Sequence, residues 1–375
     1  MSSFDVVVCG LGVMGSAALR ELSRRGLRVL GIDRFAPGHD RGSSHGATRI
    51  IRLDYFEHPS YVPLLRRAYE LWHELEQSSG QKLIHITGIV EIGDPNGMLI
   101  TGVLASIRQH SLRHELLYAE DLMRRFPGFH IPPQYRAVVQ PDGGFLAAEP
   151  SIHAMLTLAK EAGAEVRAGE TIRTLEPSAA GVRIVTDRAS IDAGSAVIAV
   201  GPWIKSILPQ LQAPLRVTRQ VMAWFSPRQP ASFRPERFPV FLVESHHGMH
   251  YGFPPDRDGL VKVAKHHHHD EAVDPDACDR RVSIADENLI RSALADHLPD
   301  ANGPRVKAAT CLYTVTPDGD FILDSLSGYP HVVVASPCSG HGFKFAPVIG
   351  EILADLVTRC EPKHEISRFS LKRFT

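Results

Sequence analysis

The residues best suited to chemistry begin at Gly10-Leu11-Gly12-Val13-Met14-Gly15, between an apolar run, Phe4 to Cys9, and an amphipathic stretch, Ser16 to Arg25, that Gly26 ends. A second apolar run, Leu27 to Ile32, closes on Asp33. The order reads as strand, tight glycine turn, helix, strand. Gly10 permits the turn, Gly12 leaves room for a pyrophosphate against the backbone, and Gly15 lets helix and strand pack closely. The helix start turns free N–H groups and a partial positive charge toward the phosphates. Asp33 stands about 20 residues beyond, where a carboxylate accepts hydrogen bonds from an adenosine ribose. Together these features imply an ADP-containing cofactor.

The next group is cationic. Arg34 to Arg52 is too polar and glycine-rich to be core and long for a connector, and ordered loops of this kind carry function. If Thr48 begins a helix, Arg49 and Arg52 share a face and aim two guanidinium groups at one anion. The internal run His266 to His269 invites a metal reading, but adjacent side chains diverge and no carboxylate or cysteine sits at ligand spacing nearby, so a polar loop and no metal is expected.

Composition narrows the class. Hydrophobic residues make up 43% and charged residues 22%, with a net charge of −1, so nothing favours nucleic acid or an anionic membrane as a partner. Five widely spaced cysteines (9, 278, 311, 338 and 360) fit a reducing compartment better than a disulfide framework. The first strand begins after three residues, leaving no room for a signal peptide, and no apolar run approaches membrane-spanning length. A cytoplasmic protein is expected. At 375 residues the chain exceeds one usual core, and two domains are expected.

The elements that must position these groups follow from periodicity. Helices are predicted over Tyr61 to Gln77, Met98 to His110, Glu120 to Phe126, Ser151 to Ala162, Ile284 to Leu298 and Phe345 to Thr358. Strands are predicted over Ile84 to Ile92, from Ala164, in three runs between Thr171 and Val200, and over Leu215 to Phe225, Val240 to Glu244, Gly248 to Tyr251 and Gly259 to Ala264. Thr310 to Thr314 and Phe321 to Asp324 read as a strand pair, followed by a buried strand, Val332 to Ala335. The run that ends at Gly201 is expected beside the first βαβ unit, which makes the cofactor domain discontinuous.

Three stretches carry a resemblance: Gly42 to Arg52 (GSSHGATRIIR), Cys311 to Asp318 (CLYTVTPD) with Phe321 to Asp324, and Ser339 to Phe345 (SGHGFKF). With the N-terminal glycines they resemble the monomeric sarcosine oxidase and N-methyl-L-tryptophan oxidase family of D-amino-acid-oxidase-like flavoproteins, from about Phe4 to Phe374. The fold implied is α/β, with a discontinuous Rossmann-like FAD-binding domain (1–83, 142–214 and 309–375). A substrate domain (84–141 and 215–308) would be built on a mostly antiparallel sheet.

The resemblance also implies FAD attached by a thioether from its 8α-methyl carbon to Cys311, which on its own reads as a small buried hydrophobe. Arg52 and Lys344 match the pair that holds the substrate carboxylate, and a carboxylate leaving water does need convergent cationic donors. Arg49 and Lys262 match cations on the other flavin face, where Lys262 would favour the negative charge that forms as dioxygen is reduced. Tyr251, His266 and Tyr313 would line the substrate cavity. Gly340, Gly342 and Phe343 would bring N–H groups to the flavin N1–C2=O edge. Val13, Met14, Arg34, Ser44, Thr48, Ile50, Ile172, Gly201 and Trp203 complete the implied cofactor contacts.

Ala47 stands where the family commonly has aspartate, removing a possible partner of Arg49, and Ser336-Pro337-Cys338 also departs from the pattern. The activity implied is oxidation of N-methyl amino acids by a monomer, with dioxygen as acceptor. Lys262 to His266 looks closer to the N-methyltryptophan enzyme than to the sarcosine enzyme. An oxidase of a cyclic secondary amine such as pipecolate and a dehydrogenase serving a quinone or protein carrier remain alternatives. A non-catalytic flavin-binding subunit and an NAD-dependent dehydrogenase are the readings from further away.

Overall fold

A computed structural model of the chain describes residues 4–209, 211, 213–234 and 237–374. The chain opens with β1 (Phe4–Cys9), α1 (Val13–Arg24) and β2 (Val29–Asp33), as the glycine spacing predicts. Then come β3 (Thr48–Ile51), α2 (Val62–Ser79), β4 (Ile84–Ile86), β5 (Ile89–Gly93), α3 (Met98–His110), β6 (Glu115–Tyr118), α4 (Ala119–Arg125), β7 (Arg136–Gln140) and β8 (Gly144–Ala147). Next are α5 (Ala148–Glu161), β9 (Glu165–Ala168), β10 (Ile172–Ser178), β11 (Gly181–Thr186), β12 (Ser190–Ile198), α6 (Ile204–Ile207), β13 (Arg216–Phe225), β14 (Val240–Ser245), β15 (Gly248–Gly252) and β16 (Val261–Lys265). The last are α7 (Ile284–His297), β17 (Arg305–Val315), β18 (Ile322–Leu326), β19 (Tyr329–Ser336) and α8 (Ala346–Val357).

Among the described residues these form two eight-stranded sheets and one of three strands. The first sheet is parallel at its centre, with β12, β1, β2 and β9 in register and β19 against β12. Its central strands are nearly continuous apolar runs, with α1 and α8 packed against them and α5 against α1. The second sheet runs β17-β13-β16-β15-β14-β5-β7-β6 and is antiparallel except where β14 meets β5. A small sheet, β3-β8-β4, lies apart from both.

Three expectations need correction. Thr48 begins a strand, not a helix: β3 pairs with β8 from Thr48 opposite Ala147 to Ile51 opposite Gly144. The β-branched Thr48, Ile50 and Ile51 favour that state. Ile84 to Ile92 is two strands in different sheets, broken at Thr87-Gly88, where Gly88 takes a positive φ of 74°. The segments Thr310 to Thr314 and Phe321 to Asp324 do not pair, since β17 lies on β13 while β18 lies on β19. Local preference supports the first two corrections, and tertiary pairing alone decides the third.

Candidate active site

At the N-terminal end the geometry follows from two glycines. Gly10 has φ of 88°, and a Cβ on Gly15 would fall 1.8 Å from the Gly10 carbonyl oxygen, so strand and helix meet only without side chains there. Helix α1 starts at Gly12 with no side-chain cap and no acidic residue in its first turn. Val13 N–H donates to Ser44 Oγ at 3.2 Å. Asp33 accepts from Leu11 N–H at 2.6 Å and from Phe35 N–H at 2.8 Å, so the turn and the acid are locked together before any ribose arrives.

A cavity of about 510 Å³ runs from this turn to the second sheet. Of the residues singled out from sequence, it is lined by Gly10, Gly12, Val13, Met14, Asp33, Arg34, Ser44, Arg49, Ile50, Arg52, Ile172, Gly201, Trp203, Tyr251, His266, Cys311, Tyr313, Gly340, Gly342, Phe343 and Lys344. Gly15, Thr48 and Lys262 do not reach its wall. Strand alternation explains why the second sheet supplies so many: Ala309, Cys311 and Tyr313 share one face of β17, and Lys262 and Ala264 share one face of β16. Tyr251 lies opposite Ala264, and Ala264 opposite Met222.

The cations differ in company. The Arg52 side chain is 3% exposed; its NH2 bonds Glu57 Oε2 at 2.7 Å and its NH1 lies 3.5 Å from Glu91 Oε1. Its guanidinium also stacks over Tyr55 and Phe56. Burial opposes that charge, but Glu57 and Glu91 more than offset it and hold the guanidinium firmly protonated. Glu57 is therefore a wall residue that the sequence reading missed; its only signal was its place five residues after Arg52.

Lys344 sits in a short 3₁₀ turn, Phe343–Phe345, before α8, and its Nζ donates to the His341 carbonyl at 2.8 Å. Burial, then the neighbouring Arg52, lowers its amine to about 7. Burial lowers His341 to about 4 and drives His266 well below its ordinary value, so both imidazoles are neutral.

Arg49 donates to the carbonyls of Thr48 and Ser43 at 2.9 and 2.8 Å. These oxygens stand in for the carboxylate that Ala47 does not supply. Ala47 itself has φ of 68°, and its N–H and that of Gly46 are held by Glu149. Lys262 Nζ donates to Gly46 O at 2.7 Å and to Thr48 O at 3.0 Å, with the rings of Phe253 and Trp224 at 4.6 and 5.3 Å. Burial, then Arg49, lowers its amine well below the usual lysine value. Burial also raises the Cys311 thiol, with Arg49 and Lys262 pulling the other way.

At the histidine run the fold supplies a carboxylate absent from the local sequence: Asp286 Oδ1 lies 3.0 Å from His268 Nε2 and 3.5 Å from His269 Nε2. That carboxylate already binds Arg219 through both oxygens and caps α7. A cation would have to share it with a guanidinium.

A helix start with no cap from its own N-cap residue, a glycine turn and a cavity joining it to buried cations fit a dinucleotide bearing a reactive ring. Comparison with known proteins agrees. The chain belongs to the FAD dependent oxidoreductase family, whose profile matches residues 5–356. It is an FAD-dependent oxidoreductase. It is 41% identical to monomeric sarcosine oxidase of Streptomyces avermitilis over 99% of this chain and 98% of the relative. It is 35% identical to N-methyl-L-tryptophan oxidase of Salmonella agona over 99% of both. Among solved structures, NikD, an unusual amino acid oxidase essential for nikkomycin biosynthesis, superposes with a TM-score of 0.87 at 31% identity, covering 99% of this chain and 98% of that one.

Proposed function

We propose that this protein oxidises secondary amino acids, N-methyl amino acids foremost, with dioxygen as the electron acceptor. The observation that carries the reading is that Arg52 and Lys344, both buried, line the same cavity as the glycine turn and Cys311. The names of the relatives, sarcosine and N-methyl-L-tryptophan oxidases, agree with it.

In this reading Arg52 and Lys344 bind the carboxylate and so fix the amine end of the substrate in a near-attack position. Tyr251, Tyr313 and neutral His266 shape the wall around the amine and add no charge that would repel a cationic form. FAD, when bound, supplies the two-electron acceptor for the C–H bond next to nitrogen. The resulting imine hydrolyses, giving formaldehyde and the parent amino acid when the methyl carbon is the one oxidised. Arg49 on the opposite wall and Lys262 behind it would place positive charge where dioxygen reduction calls for it.

Gly10 to Gly15, Asp33, Arg34, Ser44, Thr48, Ile50, Ile172, Gly201, Trp203, Gly340, Gly342 and Phe343 are assigned to holding FAD. Cys311, 2% exposed and on the cavity wall, is assigned the covalent link. We assign the first sheet to the cofactor domain and most of the second to the substrate domain, with boundaries near residues 84, 142, 215 and 309, the last falling inside β17. The protein is proposed to act as a cytoplasmic monomer; its five free cysteines fit a reducing compartment.

The purified yellow protein should consume oxygen and release peroxide with sarcosine or a larger N-methyl amino acid. No turnover across such a panel, with flavin bound, removes the reading. Acid denaturation should leave colour in the pellet, and Cys311→Ala should release it to the supernatant. One observation favours a dehydrogenase as the second reading: the Lys262 amine lies behind the wall, bound to carbonyl oxygens. Turnover with an artificial quinone but not with oxygen would decide for it.

A further inference from the structure

Behind Arg52, outside the cavity wall, stand two carboxyl groups that the proposed mechanism leaves unused. Asp54 and Glu91 are both 0% exposed. Glu91 projects from β5 opposite Leu242, which lies opposite Tyr251, so it occupies the sheet face that forms the cavity wall. Its Oε1 is 3.5 Å from Arg52 NH1, and the same NH1 donates to the Asp54 carbonyl at 3.0 Å. Among the described residues no N–H or hydroxyl group of another residue hydrogen-bonds to any of the four carboxyl oxygens. The two carboxyls are left to each other, and such a contact holds only with a proton between them.

The charges around this point balance: Arg52 and Lys344 are positive, and Glu57 and the one-proton pair are negative. A ligand carboxylate adds a negative charge in a site shielded from water, where an uncompensated charge costs several kcal/mol. The pair has room for one more proton. We propose that Asp54 and Glu91 are a positioning pair for the carboxylate subsite: they share one proton while it is empty and take a second from water when an anionic ligand docks on Arg52 and Lys344. This rests on the assignment of Arg52 and Lys344 to the carboxylate.

Other titratable groups do not supply that proton. Glu57 is held ionised, chiefly by Arg52 against the opposing effect of burial. Tyr55 and, from α2, Tyr69 are pushed well above the ordinary phenol value by burial and stay neutral. His341 and His266 are neutral at the outset, and Lys344 is already charged below pH 7. Among groups on the elements packed against β5, Arg108 of α3 is exposed and His110 of α3 bonds the Pro59 carbonyl. Glu244 of β14 binds Leu99 N–H, and Arg136 of β7 binds the carbonyl of Tyr135.

The test uses the flavin-loaded protein and methoxyacetate, a carboxylate whose ether oxygen replaces the amine and cannot form an imine. Binding is followed by flavin absorbance, and proton uptake by calorimetry in two buffers of different ionisation enthalpy, one to two units below the Lys344 midpoint of about 7. The wild type should take up about one proton per ligand and lose about tenfold in affinity per pH unit. Glu91→Gln and Asp54→Asn each leave one ionised carboxylate that can still take the proton, whereas the double variant leaves none, so uptake should persist in either single variant and vanish in the double, whose profile should flatten.

A purely structural role would change affinity without changing the proton count. Uptake that persists in the double variant, or methoxyacetate binding to the wild type with no uptake, overturns the proposal. Failure of methoxyacetate to bind the wild type at all overturns instead the carboxylate assignment beneath it. The double variant, which mimics the doubly protonated pair, should bind at the upper end of this pH range, where Lys344 is still charged, as tightly as the wild type does at its lower end; binding there as weak as the wild type's would also overturn the proposal.

Discussion

The cavity has two cationic regions, and they are built in opposite ways. Around Arg52 and Lys344 the fold places three carboxyl side chains, those of Glu57, Glu91 and Asp54, and the charges cancel before any ligand arrives. Around Lys262 and Arg49 the partners are carbonyl oxygens, a hydroxyl and aromatic rings, with no carboxylate at ion-pair distance of either among the described residues. A neutralised cation is suited to exchanging one anion for another. A cation with only dipoles around it keeps its potential for charge that appears later, during the reaction. The first arrangement suits binding, the second chemistry.

The largest effect should therefore come from the second region. Lys262→Met should slow reoxidation of the cofactor by oxygen by about 10²- to 10³-fold while sparing its reduction under nitrogen, as read by stopped-flow absorbance. Equal oxygen rates in mutant and wild type would erase the contrast. In the first region, Arg52→Gln should raise KM for the amino acid by about 10- to 100-fold, the range for a hydrogen bond to a charged group. A larger fall in the oxygen step than in binding would mean the two regions had been assigned the wrong way round.

A pH profile sharpens the same comparison. Lys344 is charged below about 7 and loses its proton above it, so methoxyacetate binding should weaken as pH rises past that point. Lys344→Met should abolish this upper limb, leaving any limb due to Asp54 and Glu91. The smallest effect lies in the loop that carries Arg49: Ala47→Gly relieves a left-handed backbone and should stabilise by about 1 kcal/mol, seen as a modest rise in Tm. No gain would mean that the extra conformational freedom of glycine in the unfolded chain offsets the relief of strain.

Several of these features were readable in advance. The spacing of Gly10, Gly12, Gly15 and Asp33 dictates a local βαβ turn, because the contacts that define it, Leu11 N–H on Asp33 and Gly15 against Gly10, lie within one supersecondary unit. The motif around Cys311 pointed to a wall residue, and alternation along one strand carries Cys311 and Tyr313 to the same face. Thr48 misled because two arginines three apart fit a helix equally well until β8 pairs with the strand they occupy. The histidine run misled for a related reason, since its carboxylate, Asp286, comes from a helix start many residues away.

By itself, then, the sequence determined the cofactor turn, most helices, and the cationic and thiol residues of the cavity, all properties of short windows in which backbone preference and side-chain period suffice. Tertiary structure alone decided which charges meet. Arg52 finds Glu57 within its own loop, but Glu91 arrives from another sheet and Lys344 from the far end of the chain. Lys262 reaches the carbonyls of Gly46 and Thr48 across more than half the sequence. Electrostatic energy depends on separation and burial in space, and neither quantity is written in the order of residues.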